Sequence, residues 1–174
     1  MISNILVALN TQEPYAHIFE QALYLAKVTG AKLKLLSILS TIYDYTMSVG
    51  YYPGTMGHTT IASDTFWGAY QAERIKQKES VLKTLSELTM QAEAQGVRTE
   101  IIQASGDPGV VICDRARAEQ VDLIVVGSHG RRGIDELLVG SVSSYVMHRA
   151  ACSVMVVHDQ ALTETMAESK AAAA

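Results

Sequence analysis

Five short stretches of the chain have the apolar patterns that are typical of β-strands. Residues 2–9 alternate and then run apolar, residues 33–39 are mostly aliphatic, and residues 97–104 alternate again. Residues 121–126 and 153–158 form two further apolar runs. Nearly continuous runs of this length indicate strands that are covered on both faces, as in a parallel sheet.

Four segments between these stretches are predicted to be helices. Gly30 and Gly96 follow the first two at the position where a left-handed glycine often ends a helix. Asp107 and Pro108 are a start signal for the third, because Asp caps a helix and Pro fits its first position. The predicted helices are residues 13–29, 66–95, 108–120 and 141–149.

The spacing of apolar residues predicts the buried face of the two longer helices. The residues expected to face inward are Ile18, Ala22, Leu25 and Ala26 in the first, and Ile75, Leu82, Leu85, Thr89 and Ala92 in the second. Strands and helices alternate along the whole chain, which favours an open parallel sheet with helices on both faces. Such sheets bind ligands beyond the carboxyl ends of their strands, where the strand order reverses.

Composition narrows the class of protein. The chain has 174 residues, of which 48% are hydrophobic and 18% charged, and this suits one domain with a sizeable core. A net charge of −4 argues against a nucleic-acid partner. Neither a membrane span nor a secretory signal is found, so we expect no membrane insertion and a cytoplasmic protein. Cys113 and Cys152 have no disulfide or metal spacing and are expected to be buried or half-buried thiols.

The residues after the fourth predicted strand carry the most specific motif. Residues 127–141 read GSHGRRGIDELLVGS, with the spacing G-x2-G-x9-G-S. Glycine lets a backbone approach a ligand closely, although it can also serve turn geometry alone. Free N–H groups at a helix start favour an anion. The motif is neither the GxGxxG of a dinucleotide fold nor a P-loop. The stretch therefore predicts a phosphate-binding loop of another kind.

This motif and both ends of the chain resemble the universal stress protein family (UspA-like), in its ATP-binding branch. Residues 5–10 (ILVALN) are similar to the first strand of the family, and residues 121–130 to its fourth strand and phosphate loop. Residues 140–142 complete the motif, and residues 152–157 look like the last strand. The resemblance implies an open five-stranded parallel sheet, Rossmann-like and of the adenine nucleotide alpha hydrolase type.

The resemblance also implies how a nucleotide is held. The glycine loop would wrap the ribose and phosphates, the start of the last helix would cap the phosphates, and the ends of the first two strands would line the adenine pocket. The Ser141 hydroxyl could also touch Mg²⁺ or Mn²⁺ carried by ATP, and no metal site of the protein alone is expected. The expected nucleotide-binding residues are Ala8, Asn10, Ile38, Val126, Gly127, Ser128, His129, Gly130, Arg131, Gly140, Ser141, Val142 and Ser143.

Two parts of the chain depart from the family. Asn10 stands where the family usually has aspartate, which keeps an acceptor but loses the charge. Residues 41–68 are rich in Tyr, Thr, Met and Gly and are expected to be an inserted loop. It is either a mobile surface loop with some aromatic packing, or a lid over the nucleotide or a patch that meets a partner. The domain is expected to cover residues 1–158, followed by a disordered tail at 159–174.

Three functions remain open from the sequence. The leading one is a regulatory protein that binds ATP, or AMP, ADP or a cyclic dinucleotide, and signals to an unknown protein partner. The second is an interaction protein with an unoccupied pocket, acting through its dimer surface and Tyr-rich loop. The third is a slow ATPase, although no catalytic residue can be named because His129 has no fixed partner. A homodimer is expected through the apolar last strand, Ser153–Val157, which would lie at a sheet edge.

Overall fold

The computed structural model describes residues 1–11, 14–39, 64–128 and 140–158, and for residues 64–67, 69 and 70 it describes the backbone. Strands and helices alternate as the apolar pattern predicts. In chain order the elements are β1 (Asn4–Ala8), α1 (Ala16–Thr29), β2 (Lys32–Leu39), α2 (Asp64–Ala94), β3 (Thr99–Ser105), α3 (Pro108–Ala118), β4 (Leu123–Gly127), α4 (Ser141–Arg149) and β5 (Ser153–Val157).

All five strands form one parallel sheet in the order β3-β2-β1-β4-β5. The predicted fold class is therefore confirmed. The chain builds β2 and β3 on one side of β1 and then returns to build β4 and β5 on the other. The strand order thus reverses at β1, and a crevice between the carboxyl ends of β1 and β4 is the expected place for a ligand.

Alternate residues of each strand fill two separate cores. On one face Ile5 and Val7 pack with Phe19 of α1 and Leu85 of α2, all at most 1% exposed. On the other face Leu6 and Leu36 pack with residues of α3 and α4. Both faces of the central strands are apolar because helices cover both, which explains the continuous apolar runs in the sequence.

The predicted inward face of α1 is confirmed, because Ile18, Ala22, Leu25 and Ala26 all pack on the core, whereas that of α2 is partly wrong. In α2, Ile75 and Leu82 were expected to be buried but are 57% and 45% exposed. The buried residues of α1 are Phe19, Ala22, Leu23 and Ala26, and those of α2 include Val81, Leu85, Leu88 and Ala92. Among the side chains of α2 that the structure describes, the buried apolar ones lie in its second half, from Val81 to Ala92.

The start of α2 also corrects the predicted insertion. The helix begins at Asp64, so residues 64–68 are helical rather than part of a loop. The rest of that segment, up to residue 63, and the predicted tail at 159–174 lie outside the described residues. The predicted helix ends are confirmed at Gly30, which has a φ of 72°, and at Asp107, whose carboxylate accepts the Val110 N–H at 3.1 Å.

Charged side chains close the amino edge of the sheet. Lys34, 7% exposed on β2, donates to Glu100 and Glu119 at 2.8 Å each, and these bonds raise its pKa. The Asp122 carboxylate accepts the backbone N–H groups of Ser3 and Asn4 at 2.7 and 2.9 Å, and these two bonds lower its pKa. The two carboxylates offset the cost of removing the Lys34 ammonium from water, and the two N–H groups hold the Asp122 carboxylate in place.

Candidate functional site

The carboxyl ends of β1 and β4 bring together two of the predicted site segments. Val7 of β1 lies beside Val125 of β4. The end of β1 at Ala8, and Asn10 just beyond it, therefore lie next to Val126 and Gly127 at the end of β4. Asn10 is exposed just beyond β1. This is the point where the strand order reverses, as expected for a ligand crevice.

Four of the predicted site residues share one face of the sheet. Ala8, Ile38, Val126 and Val142 all pack on the core beneath α3 and α4. Val126 is 3% exposed, whereas the other three are partly exposed. An apolar wall with exposed parts at the carboxyl edge is the kind of surface that lines a small-molecule site.

The amino end of α4 presents backbone donors at the same edge. Gly140 is the N-cap residue, and within the described residues no side chain caps this helix. The first helical hydrogen bond runs from Ser144 N–H to Gly140 O at 2.8 Å, so the N–H groups of residues 141–143 have no partner within the helix. No acidic residue lies in the first turn. These donors and the helix dipole favour an anion.

The serines of this turn differ in what their hydroxyls can do. Ser143 is 1% exposed, and its hydroxyl donates to Gly140 O at 3.0 Å. It is therefore occupied within the turn, and only its backbone N–H remains for a ligand. Ser141 is exposed at the helix start, in the position that the sequence predicts for a side-chain donor.

Gly127 has a packing role that the motif did not indicate. A Cβ at this position would lie 2.5 Å from Ile18 Cδ1, on the side of the sheet that α1 covers. The glycine therefore lets α1 pack close to the end of β4. Its side-chain position faces away from the core beneath α4, so it can serve a ligand through its backbone only.

Gly109, which sequence reasoning missed, sets the position of α4. It is buried on α3, and a Cβ there would lie 2.7 Å from Cδ1 and 2.9 Å from Cγ of Tyr145. Because Tyr145 belongs to α4, the glycine allows the two helices to approach each other. A small residue directly after Pro108 was the one sequence signal for this contact.

A hydrogen bond between Ser128 and His158 was also missed. Ser128 Oγ lies 2.7 Å from His158 Nδ1, and Ser128 N–H donates to Val157 O at 2.8 Å. Ser128 is therefore tied to the end of β5 by two bonds. The two residues are 30 positions apart, and no pattern in the sequence around either of them indicates that they meet.

Three predicted site residues, His129, Gly130 and Arg131, lie outside the described residues. Among the residues that the structure does describe, no three His, Cys, Asp or Glu side chains could together hold a metal ion. Within those same ranges, no helix is both long and apolar enough to cross a membrane. Cys113 is buried and Cys152 half-buried, both as free thiols, and burial raises the pKa of each.

Comparison with known proteins gives one consistent family. A sequence model of the universal stress protein family matches residues 1–158. Universal stress protein YxiE of Bacillus subtilis is 31% identical over 162 residues, which are 90% of this chain and 99% of YxiE. The match to the family covers both ends of the sheet and all of its strands.

Two solved structures share the fold. One is a universal stress protein in complex with cAMP, with a TM-score of 0.58 and 21% identity over 90% of this chain and 97% of its own. The other is an Arabidopsis thaliana family member with AMP bound, with a TM-score of 0.56 and 23% identity over 90% of this chain and 91% of its own. On the family match and the fold together, this chain belongs to the universal stress protein family.

Proposed function

We propose that this protein binds an adenine nucleotide in the crevice between the carboxyl ends of β1 and β4. The observation that carries the proposal is the amino end of α4, where three backbone N–H groups without helical partners lie at the carboxyl edge of the sheet. Phosphates would bind these donors and the Ser141 hydroxyl. Ala8 and Ile38, which are partly exposed, would supply apolar surface for the base.

The relatives support an adenine ligand. One solved family member holds cAMP and another holds AMP. We propose ATP with Mg²⁺ or Mn²⁺ as the ligand of this chain, bound through residues 127–142, and AMP or ADP as weaker ligands with fewer phosphates for the same donors. Asn10, which replaces a carboxylate in the family pattern, adds no negative charge beside the phosphates.

The first experiment tests whether an adenine nucleotide co-purifies with the protein. The protein is purified without added nucleotide and denatured, and the supernatant is separated by anion exchange and monitored by the ultraviolet absorbance of adenine. We expect one of the adenine nucleotides. The same chromatography after titration of stripped protein with ATP, AMP and cAMP ranks the ligands. No adenine compound in the first step and no uptake in the second would reject the proposal.

We also propose that β5 pairs with its copy in a homodimer. Within the described residues β4 is the one strand that borders β5, so β5 is a sheet edge with apolar side chains. An exposed apolar edge favours pairing with another strand. Light scattering should give twice the chain mass for the wild type and for the control Val28→Lys, on the exposed face of α1. Val156→Lys, if circular dichroism shows it folded, should be monomeric. A monomeric wild type would contradict the dimer.

A further inference from the structure

The bond between Ser128 and His158 lies at the same edge as the proposed nucleotide site. Ser128 is the first residue after β4, and His158 is the first after β5. The Oγ–Nδ1 distance of 2.7 Å is short for a hydrogen bond between side chains. The backbone bond from Ser128 N–H to Val157 O, at 2.8 Å, extends the ladder between the two strands by one step.

Strand alternation fixes the face on which this pair lies. Val126 and Val156 pack on the core beneath α3 and α4. Gly127 faces Ile18 of α1, and Val157 packs in the core beneath α1 and α2. Because successive residues of a strand point to opposite faces, Ser128 and His158 lie on the α4 side. This is the side on which the uncapped amino end of α4 presents its N–H groups.

We propose that His158 is a positioning residue for the nucleotide site, which acts through Ser128. The imidazole Nδ1 holds the Ser128 hydroxyl and so fixes the backbone at the entrance of the glycine loop before the ligand arrives. A site residue whose backbone is already fixed loses less conformational entropy on binding, and affinity rises accordingly. This inference rests on the proposed nucleotide binding, and it assigns His158 no direct contact with the nucleotide.

Two amide substitutions separate the roles of the two ring nitrogens. Asparagine places a hydrogen-bonding group near the position of Nδ1, and glutamine places one near Nε2. If His158 acts through Ser128, His158→Asn keeps nucleotide affinity, whereas His158→Gln and His158→Leu lower it by about three- to tenfold, the effect of one hydrogen bond. A direct contact of Nε2 with the ligand gives the opposite order, with His158→Gln retained, and overturns the proposal.

A double-mutant cycle adds a second criterion. Ser128→Ala should lower the affinity by the same factor as His158→Leu, and the two changes together should cost no more than either alone. Losses that multiply would mean that the two residues act separately, which overturns the proposal. Equal affinity in all variants overturns it as well. Isothermal titration calorimetry with Mg·ATP gives each affinity, and Val28→Lys on α1 is the control for a surface change elsewhere.

A ligand-free readout separates this inference from the proposed function. Amide hydrogen exchange of Ser128 in the absence of nucleotide should be faster in His158→Leu than in the wild type, and should return toward the wild-type rate in His158→Asn. Unchanged exchange in His158→Leu would show that the imidazole does not hold the loop, and it overturns the inference even if ATP binds. A wild-type protein without nucleotide affinity contradicts the proposed function, while the exchange rates still decide whether His158 fixes residue 128.

Discussion

The two edges of the sheet are built on opposite principles. At the amino edge, Lys34 is bonded to two carboxylates, and the Asp122 carboxylate accepts two backbone N–H groups. At the carboxyl edge, α4 begins with glycine and serine, and in the described part of the chain no side chain caps its N–H groups. One edge satisfies its charges within the protein, and the other leaves donors for a ligand.

This difference separates stability from function. Substitutions at the amino edge should lower the free energy of unfolding and leave nucleotide affinity unchanged. Substitutions at the carboxyl edge that leave the fold intact should lower nucleotide affinity and change the free energy of unfolding little.

The largest effect on stability is expected at the amino edge. Lys34→Ala removes the cation between Glu100 and Glu119 and the buried part of its own side chain. We expect a loss of about 2 kcal/mol, less than for a fully buried pair because Glu100 and Glu119 are partly exposed. Urea unfolding followed by circular dichroism measures the change. A loss of stability below the error of the method, or a loss of ATP affinity in the folded variant, would contradict the proposed difference between the two edges.

Gly109→Ala should affect both stability and nucleotide affinity, because Gly109 of α3 contacts Tyr145 and so sets the position of α4. A methyl group there overlaps the Tyr145 ring, and the strain of overpacking is expected to cost about 1–2 kcal/mol. Since α4 must shift to relieve the overlap, ATP affinity should fall as well. Gly109→Ala combined with Tyr145→Ala removes the overlap and should recover part of the affinity. Failure of this pair to recover any affinity would mean that the contact does not position the phosphate donors.

Asp122→Asn should give a smaller loss that depends on pH. Backbone hydrogen bonds from Ser3 and Asn4 lower the pKa of Asp122 in the folded protein. A lowered folded-state pKa contributes stability above the unfolded-state pKa, and this contribution is lost as the pH falls through the folded-state value. The wild type should therefore be more stable than Asp122→Asn at neutral pH, and the gap should close in acid. Urea unfolding at a series of pH values tests this, and a gap that stays constant would contradict it.

The smallest effect on stability is expected for the Ser128–His158 bond. Both residues lie near the surface, so His158→Leu should change the free energy of unfolding by no more than about 0.5 kcal/mol. Thermal unfolding of the same variants used in the affinity measurements gives this value. A large loss of stability would mean that His158 supports the β5 edge rather than the loop after β4.

The sequence predicted the sheet better than the helices that cover it. Period-two alternation and continuous apolar runs located all five strands. The inward face of α2 was wrong at Ile75 and Leu82, since apolar spacing does not show how much of a 31-residue helix lies on the sheet.

The polar contacts between distant parts of the chain could not be predicted from the sequence, for a different reason. Lys34 and Glu119 are 85 positions apart, and Ser128 and His158 are 30 apart. Nothing local marks such pairs, because they depend on which strands become neighbours. Gly109 carried no signal of its own beyond its small size. The apolar pattern locates elements, but only the assembled sheet shows which polar groups meet.

Calorimetric titration of Mg·ATP into the wild type and Gly140→Val tests the central claim most directly. Gly140 has a φ of −57° and a ψ of 158°, which valine can adopt, so the variant should fold. We expect the wild type to bind one ATP per chain and Gly140→Val to bind at least about a hundredfold more weakly, because the side chain blocks approach to the α4 donors. Gly68→Val, in the exposed part of α2, should bind like the wild type. Equal affinity in Gly140→Val and the wild type would contradict the account.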